Sequence, residues 1–186
     1  MSRNRRAIRP KRKRFFVAGE GASEIAFFAA VQAWAEVKDL AVHLVSEDMK
    51  GGGAIKMAEC AVAAAKRNEA RRGSHNGRWA FLDTDTMKLH ERQDVVRILG
   101  YANIQLVPQN PCFEALLLRH FSGFEHASPT DCSAAQTQLV GRWPSYRKPP
   151  GSKDIRERIG FDDAIRYGRV EAGPYAEFLR AIGLLH

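Results

Sequence analysis

Apolar and polar positions along the chain alternate between two periods. Short apolar runs are each followed by a longer segment with apolar residues every three or four positions, which is typical of strands followed by amphipathic helices. In the first such segment, Ile25, Phe28, Val31 and Ala35 form the apolar stripe. The pattern predicts strands over residues 15–18, 41–46, 78–82 and 103–108, and helices over residues 23–37, 54–71, 89–99 and 110–121.

Four strand–helix units with short connections favour the α/β class, with a mostly parallel four-stranded sheet and helices on both faces. Beyond residue 121, short helical stretches with Pro-rich joints such as WPSYRKPPGS predict a small helical C-terminal extension packed on the core. The predicted organisation is an arm over residues 1–14, an α/β core over 15–121 and this extension over 122–186. Loops that follow parallel strands meet at one edge of the sheet, so Glu20 and the segments EDMKGGG, DTDT and QNPCFE should line one crevice.

The charge of the chain is concentrated at its start. The formal net charge is +8, and eight of the 29 Lys and Arg residues lie in the first 14 positions; the other 21 balance the 21 acidic residues. Such a block predicts a disordered basic arm that contacts nucleic acid. Its members are Arg3, Arg5, Arg6, Arg9, Lys11, Arg12, Lys13 and Arg14.

The three cysteines are far apart and form no Cys-x-x-Cys pair, which disfavours both a zinc site and a disulfide framework. The first apolar run is interrupted at Glu20, too early for a signal peptide, and no run is long enough to span a membrane. We therefore expect a reducing, cytoplasmic location and no membrane partner.

The segment FLDTDT places Asp83 and Asp85 directly after an apolar strand. Carboxylates two residues apart on an extended backbone project to the same side, about 7 Å apart, where they can share one hard cation. Without a cation the two charges would repel each other, which favours a Mg²⁺ or Mn²⁺ site. The letters also partly match the Asp-x-Asp-x-Thr of haloacid-dehalogenase-like phosphatases, with Met87 in the place of the threonine, although that motif normally follows the first strand. Nucleotide-sugar transferases use Asp-x-Asp on a metal as well.

A glutamate that leaves the first strand between two glycines, followed by Asp-x-Asp after a later strand, resembles the toprim domain of primases, topoisomerases and overcoming-lysogenization-defect nucleases. The resemblance implies that Glu20 is a general acid or base and a metal ligand, and that Asp83 and Asp85 hold magnesium. Gly19 and Gly21 would then let backbone and phosphate approach closely where a Cβ would intrude.

Four segments together resemble the RloB-like family, a toprim-related group of restriction and phage-defence loci: EGASEIAFF, the loop Gly51–Gly53, FLDTD and QNPCFEALLLRHF. The resemblance covers residues 14–121, and NPCFE is its most specific element. Gln109 departs from the serine expected before NPCFE. Within NPCFE, Asn110 and Pro111 have the residue types of a helix cap and first turn, and Glu114 either stabilises the helix dipole or acts as a further catalytic carboxylate.

Several further residues are candidates for phosphate or nucleic-acid contact: Lys50, Gly51, Gly52 and Gly53 at the start of a helix, with Asn110, Arg147 and Lys148. The glycines lack the Gly-Lys-Ser/Thr ending of a P-loop, which disfavours an NTPase.

These features together predict a metal-dependent phosphodiesterase, a toprim-type nuclease that acts on DNA, RNA or tRNA in antiphage defence. A non-catalytic nucleic-acid or nucleotide sensor and a phosphatase stay open as alternatives, as does homo-oligomerisation. The resemblance also implies an ATPase partner from the same locus. Apolar residues of the C-terminal third form its predicted docking surface: Phe161, Ile165, Tyr175, Phe178, Leu179, Ile182, Leu184 and Leu185.

Overall fold

The computed structural model describes residues 11–85 and 87–186, which form an α/β fold around one four-stranded parallel sheet. The strands and the helices between them are β1 (Lys13–Gly19), α1 (Ala22–Val37), β2 (Val42–Asp48), α2 (Ala54–Arg72), β3 (Gly77–Asp83), α3 (Leu89–Tyr101) and β4 (Gln105–Gln109). The helices after the sheet are α4 (Phe113–Arg119), α5 (Cys132–Arg142), α6 (Ser152–Arg158), α7 (Phe161–Glu171) and α8 (Pro174–Ala181).

Strand β1 lies inside the sheet and is buried on both faces. Phe15 and Val17 point into the core beneath α1, whereas Phe16 and Ala18 point into the core beneath α2 and α3. Burial on both sides explains why β1 reads as a continuous apolar run instead of an alternating one. The predicted fold class, with helices on both faces, is confirmed.

The strand order is β2-β1-β3-β4. The chain adds β2 on one side of β1, and then crosses over to add β3 and β4 on the other side. The reversal lies between β1 and β3, and at such a point the loops after two adjacent strands diverge and leave a crevice. Gly19 pairs with Phe81, and Asp83 pairs with Gln109. The carboxyl ends of β1, β3 and β4 therefore bring the residues after them to one place.

The start of β1 differs from the prediction. Lys13 and Arg14 belong to the strand, pairing with Val42 and His43 of β2, so the ordered core begins before residue 15 and the arm cannot extend to residue 14. Residues 1–10 and Thr86 lie outside the described residues, and with them Arg3, Arg5, Arg6 and Arg9.

The start of α4 also differs. The helix begins at Phe113 with Cys112 in the N-cap position, so Asn110 and Pro111 are not its cap and first residue. Instead, the Pro111 carbonyl accepts hydrogen bonds from the backbone N–H groups of Thr84 and Asp85, at 3.0 and 3.1 Å. The segment is thus held across the loop after β3, and this tertiary contact overrides the local helix-start signal.

The C-terminal helices are part of the main core. Phe178 is fully buried between the rings of Trp79 and Phe81 in β3, with centroid separations of 5.4 Å to each. The predicted docking surface is therefore wrong: its residues are buried in the core, with Phe161 partly buried against it. The sheet supplies the apolar area that short helices lack on their own. Across the described residues, no helix is long and apolar enough to cross a membrane.

Candidate active site at the carboxyl edge of the sheet

Glu20 and Asp83 meet at the crevice between β1 and β3. Glu20 is the first residue after β1 and Asp83 is the last residue of β3. The backbone N–H of Asp83 donates a hydrogen bond of 2.6 Å to Glu20 Oε1. Both carboxylates line a cleft of about 300 Å³, together with Glu24, Gly51 and Lys148.

Glu24 is a third carboxylate of this cleft. It lies in the first turn of α1, is 4 % exposed, and accepts a 3.2 Å hydrogen bond from the Gly21 N–H. Gly19 makes this position possible, since a Cβ on Gly19 would stand 2.3 Å from Glu24 Cβ, whereas a Cβ on Gly21 would meet nothing within 4 Å. At Gly19 the close approach that the structure shows is therefore made by helix α1, and the predicted approach of a phosphate stays a prediction.

Gln109 links two of the carboxylates. It ends β4, is 1 % exposed and lies opposite Asp83 in the strand register. With its amide nitrogen turned toward the acceptors, Gln109 donates to Asp83 Oδ1 at 2.9 Å and to Glu24 Oε1 at 3.2 Å. Gln109 therefore holds two acidic side chains in place.

Burial and mutual repulsion make these carboxylates weak acids. Burial, followed by the charges of Glu20, Glu24 and Glu114, raises the pKa of Asp83 to about 8. Burial likewise raises the pKa of Glu24 to about 7, with a smaller contribution from Glu20. The pKa of Glu20 is raised by burial and by the charge of Asp85. Near neutral pH the cluster therefore holds protons that ordinary carboxylates would have lost.

Glu114 reaches the cluster from α4 and has its own cation. It is 2 % exposed; Lys148 Nζ lies 2.8 Å from Glu114 Oε1, and the Tyr146 hydroxyl donates to the same oxygen at 3.1 Å. Burial acts to raise the pKa of Glu114, but the hydrogen bond and charge of Lys148 outweigh it and the pKa is lowered. Glu114 is thus a charged anchor for Lys148, and Lys148 lines the cleft.

Asp85 stands apart from Asp83. It is exposed, accepts a 3.2 Å hydrogen bond from Cys132 Sγ, and is not part of the described lining of the cleft. Its charge nevertheless acts on Glu20. The predicted pair therefore contributes one half-buried carboxylate that lines the cleft and one at the surface.

The loop after β2 closes one side of the cleft. The Gly51 N–H donates to the Glu20 carbonyl at 2.9 Å, and Lys50, Gly51 and Gly52 have positive φ angles of 60°, 66° and 113°. Gly53 is the N-cap of α2. Of the predicted phosphate contacts, only Gly51 and Lys148 line the cleft; Lys50, Gly52, Gly53 and Arg147 are exposed, and Asn110 accepts from the Thr84 hydroxyl at 3.4 Å.

The donor set fits Mg²⁺ or Mn²⁺ by its chemistry, because hard carboxylate oxygens crowd together and Lys148, already paired with Glu114, is the cation that lines the cleft. Among residues 11–85 and 87–186, however, no three His, Cys, Asp or Glu side chains are placed to hold one ion. The cleft therefore has more carboxylates than cations, but the described side chains are not positioned as a coordination shell.

Glu24 and Tyr146 were not among the site residues predicted from the sequence. The position of Gln109 at the end of a parallel strand was the available signal for its role.

Fold and site together define a doubly wound parallel α/β domain with a carboxylate cleft at its topological switch point. A scan against protein-family models and searches of curated proteins and of solved structures found no match.

Proposed function

We propose that this protein is a divalent-metal-dependent phosphodiesterase, a toprim-type nuclease that acts on nucleic acid in antiphage defence. The observation that carries the proposal is the cluster of Glu20, Glu24 and Asp83 at the switch point, where burial and repulsion raise the pKa of each carboxyl group. Placing three acids together in a mostly buried cleft is unfavourable, and a bound cation would offset that unfavourable free energy.

Glu20 and Asp83 are the residues that would hold Mg²⁺ or Mn²⁺, with Asp85 approaching from the surface. When bound, the ion would polarise a phosphate oxygen and lower the pKa of a water molecule. Gln109 keeps Asp83 and Glu24 in position through its two hydrogen bonds.

Glu24 and Lys148 serve the two other needs of phosphodiester cleavage. A carboxyl group with a pKa of about 7 can take up or release a proton at neutral pH, so Glu24 joins Glu20 as a candidate general acid or base. Lys148 brings a positive charge to the cleft and is anchored there by Glu114. That charge attracts a phosphate into a region that its own carboxylates would otherwise make repulsive.

A ligand-capturing module without catalysis is the second candidate. It is favoured by Lys148 and Gly51 in the lining of the cleft, since a cation and a glycine turn suit a bound phosphate group whether or not that group is cleaved. An ATPase partner stays part of the nuclease proposal, but it would have to bind elsewhere than the buried apolar residues of the C-terminal helices.

Metal binding provides the first test. We expect the wild-type protein to bind Mn²⁺, followed by electron paramagnetic resonance, with an affinity that rises from about pH 6 to about pH 9 because the ion must displace protons. Asp83→Asn and Glu20→Gln should each weaken binding about tenfold or more. Asp94→Asn is the matched control, since Asp94 pairs with Arg97 on the surface of α3.

Cleavage then separates the two candidates. Duplex DNA, single-stranded DNA and tRNA are incubated with the protein and Mg²⁺ or Mn²⁺, with and without an ATPase encoded beside it. Cutting by the wild type and not by Asp83→Asn supports the nuclease. Metal binding without cutting under any of these conditions supports the ligand-capturing module, and unchanged Mn²⁺ affinity in both variants defeats the assignment of the site.

A further inference from the structure

The opposite edge of the sheet carries a second charged surface, of the other sign. Lys11, Arg12 and Lys13 stand at the start of β1, and Arg71 and Arg72 end the neighbouring α2; all five are exposed. We call these five residues the basic edge. β1 runs from Lys13 to Gly19, which at about 3.3 Å per residue places the basic edge roughly 20 Å from the carboxylate cleft.

Arg14 joins the two segments that form the basic edge. Its Nη1 atom donates to the carbonyl oxygens of Arg72 and Gly73 at 2.5 and 2.7 Å, and its Nη2 atom donates to Asn68 Oδ1 at 2.5 Å. This guanidinium therefore satisfies carbonyls at the end of α2 and fixes that end beside β1. The five exposed cations are held together by folded structure and do not depend on the arm before residue 11.

The positive charge of the basic edge is not neutralised. In the part of the chain that the structure describes, none of the five residues forms a salt bridge, and Glu69 is paired with Arg78. Glu36 is an acid close enough to act on His43, but the cations outnumber it. Burial and then the charges of Arg14, Arg12 and Arg72 lower the pKa of His43. Arg71 and Arg72 also offset the dipole at the end of α2, but that role leaves Lys11, Arg12 and Lys13 unexplained.

The surface is shaped as well as charged. A groove of about 350 Å³ runs past Arg12, Lys13 and Ser74, and a second of about 450 Å³ runs along β2 and α2 past Ser46 and Arg71. Arg72 lines both grooves, so the two are neighbours. A group of cations beside two neighbouring grooves suits a ligand with several negative charges.

We propose that the basic edge binds the phosphate backbone of nucleic acid, independently of base sequence and at a site separate from the carboxylate cleft. The choice of nucleic acid as the ligand rests on the proposed function, whereas the surface itself follows from the geometry. Duplex DNA presents one charge per about 1.7 Å of axis, a density that five clustered cations can match, and contacts to phosphates alone carry no base information.

Fluorescence anisotropy with a labelled DNA duplex of about 20 base pairs, without divalent metal, tests the proposal. The triple variant Arg12→Gln/Arg71→Gln/Arg72→Gln should bind about tenfold to a hundredfold more weakly. Its plot of log affinity against log salt should be shallower by roughly 2 to 3, because each lost phosphate contact removes about 0.9 from the slope. The control Arg92→Gln/Arg156→Gln/Arg180→Gln removes the same charge from exposed positions on α3, α6 and α8 and should keep the wild-type slope.

Equal losses of DNA affinity in the two triple variants would show that only net charge matters and would overturn the proposal. Unchanged DNA affinity in Arg12→Gln/Arg71→Gln/Arg72→Gln would overturn it as well. Tighter binding to phosphatidylserine vesicles than to DNA, lost in the same variant, would assign the surface to a membrane instead. Binding does not need an active cleft: if the wild type binds DNA as expected here but cuts none of the nucleic acids when Mg²⁺ or Mn²⁺ is supplied, the basic edge stands and the nuclease proposal falls.

Discussion

At the scale of single residues, the carboxylate cleft disfavours the ionised form of its acids. Asp83 in the folded protein has a pKa of about 8, against 3.8 for an ordinary aspartate, so the folded state keeps a proton that the unfolded state releases. The contribution of Asp83 to stability is therefore fully present below about pH 4 and is lost as pH rises through about 8.

Asp83→Asn should remove this penalty while keeping the size of the side chain and the oxygen that accepts from Gln109. One pKa unit corresponds to about 1.4 kcal/mol, so we expect the variant to be more stable than the wild type by at least about that amount near pH 9, and to differ little near pH 4. Urea unfolding at several pH values measures this. Asp94→Asn should not reproduce the change, and a parallel pH dependence for Asp83→Asn and wild type would contradict the raised pKa.

Some site residues could be predicted from the sequence and others could not. Glu20 and Asp83 follow apolar strands, and parallel strands end at a common edge, so their meeting could be predicted from order alone. Lys148 was expected to touch phosphate, but its pairing with Glu114 depends on how a segment over 30 residues further along the chain packs across the core. Glu24 looked like an ordinary first-turn acid because its burial depends on the close approach that Gly19 allows.

At the scale of elements, the boundaries differ from the predictions where tertiary contacts decide them. β1 begins at Lys13 because Arg14 is hydrogen-bonded to the end of α2, and α4 begins at Phe113 because Pro111 is held by the loop after β3. Neither contact can be predicted from the spacing of apolar residues. The number of strands and their parallel arrangement, in contrast, could be predicted because each strand is a distinct apolar run followed by a helix.

Arg14→Gln should loosen the junction between β1 and α2. The variant leaves the carbonyls of Arg72 and Gly73 without their charged donor, and hydrogen bonds to charged groups are worth about 1.5–3 kcal/mol, so we expect a loss of about 2 kcal/mol. Thermal and urea unfolding measure the loss. The control Arg12→Gln removes the same charge two residues earlier, at an exposed side chain, and should stay within about 0.5 kcal/mol of wild type. Equal stability of the two variants would show that Arg14 does not join these elements.

At the scale of the whole molecule, the C-terminal helices and the sheet share one core. α8 packs Phe178 on β3, and the segment between α5 and α6 carries Lys148 to the cleft. The site therefore needs the entire described chain, although its acidic residues all lie before residue 115.

Phe178→Ala should test this shared core. Phe178 is fully buried, and truncating such a ring costs about 3–5 kcal/mol, so the variant should unfold at clearly lower urea concentration in a single transition. The control Val140→Ala changes a side chain that is 39 % exposed and should have little effect. Two separate transitions, with the sheet unfolding as in wild type, would mean that the extension folds on its own.

The two ends of the parallel strands also differ in charge. Five exposed cations stand at one end of the strands, whereas the acids at the other end are partly protonated near neutral pH, so the positive end carries the stronger field. A field of this kind orients a charged partner during diffusion, before any contact forms, and it weakens as salt is added. A polyanion is therefore turned toward the amino ends of the strands first. If the proposed basic edge and the proposed site in the cleft act on one nucleic acid, that ligand must extend about 20 Å along the sheet to reach both.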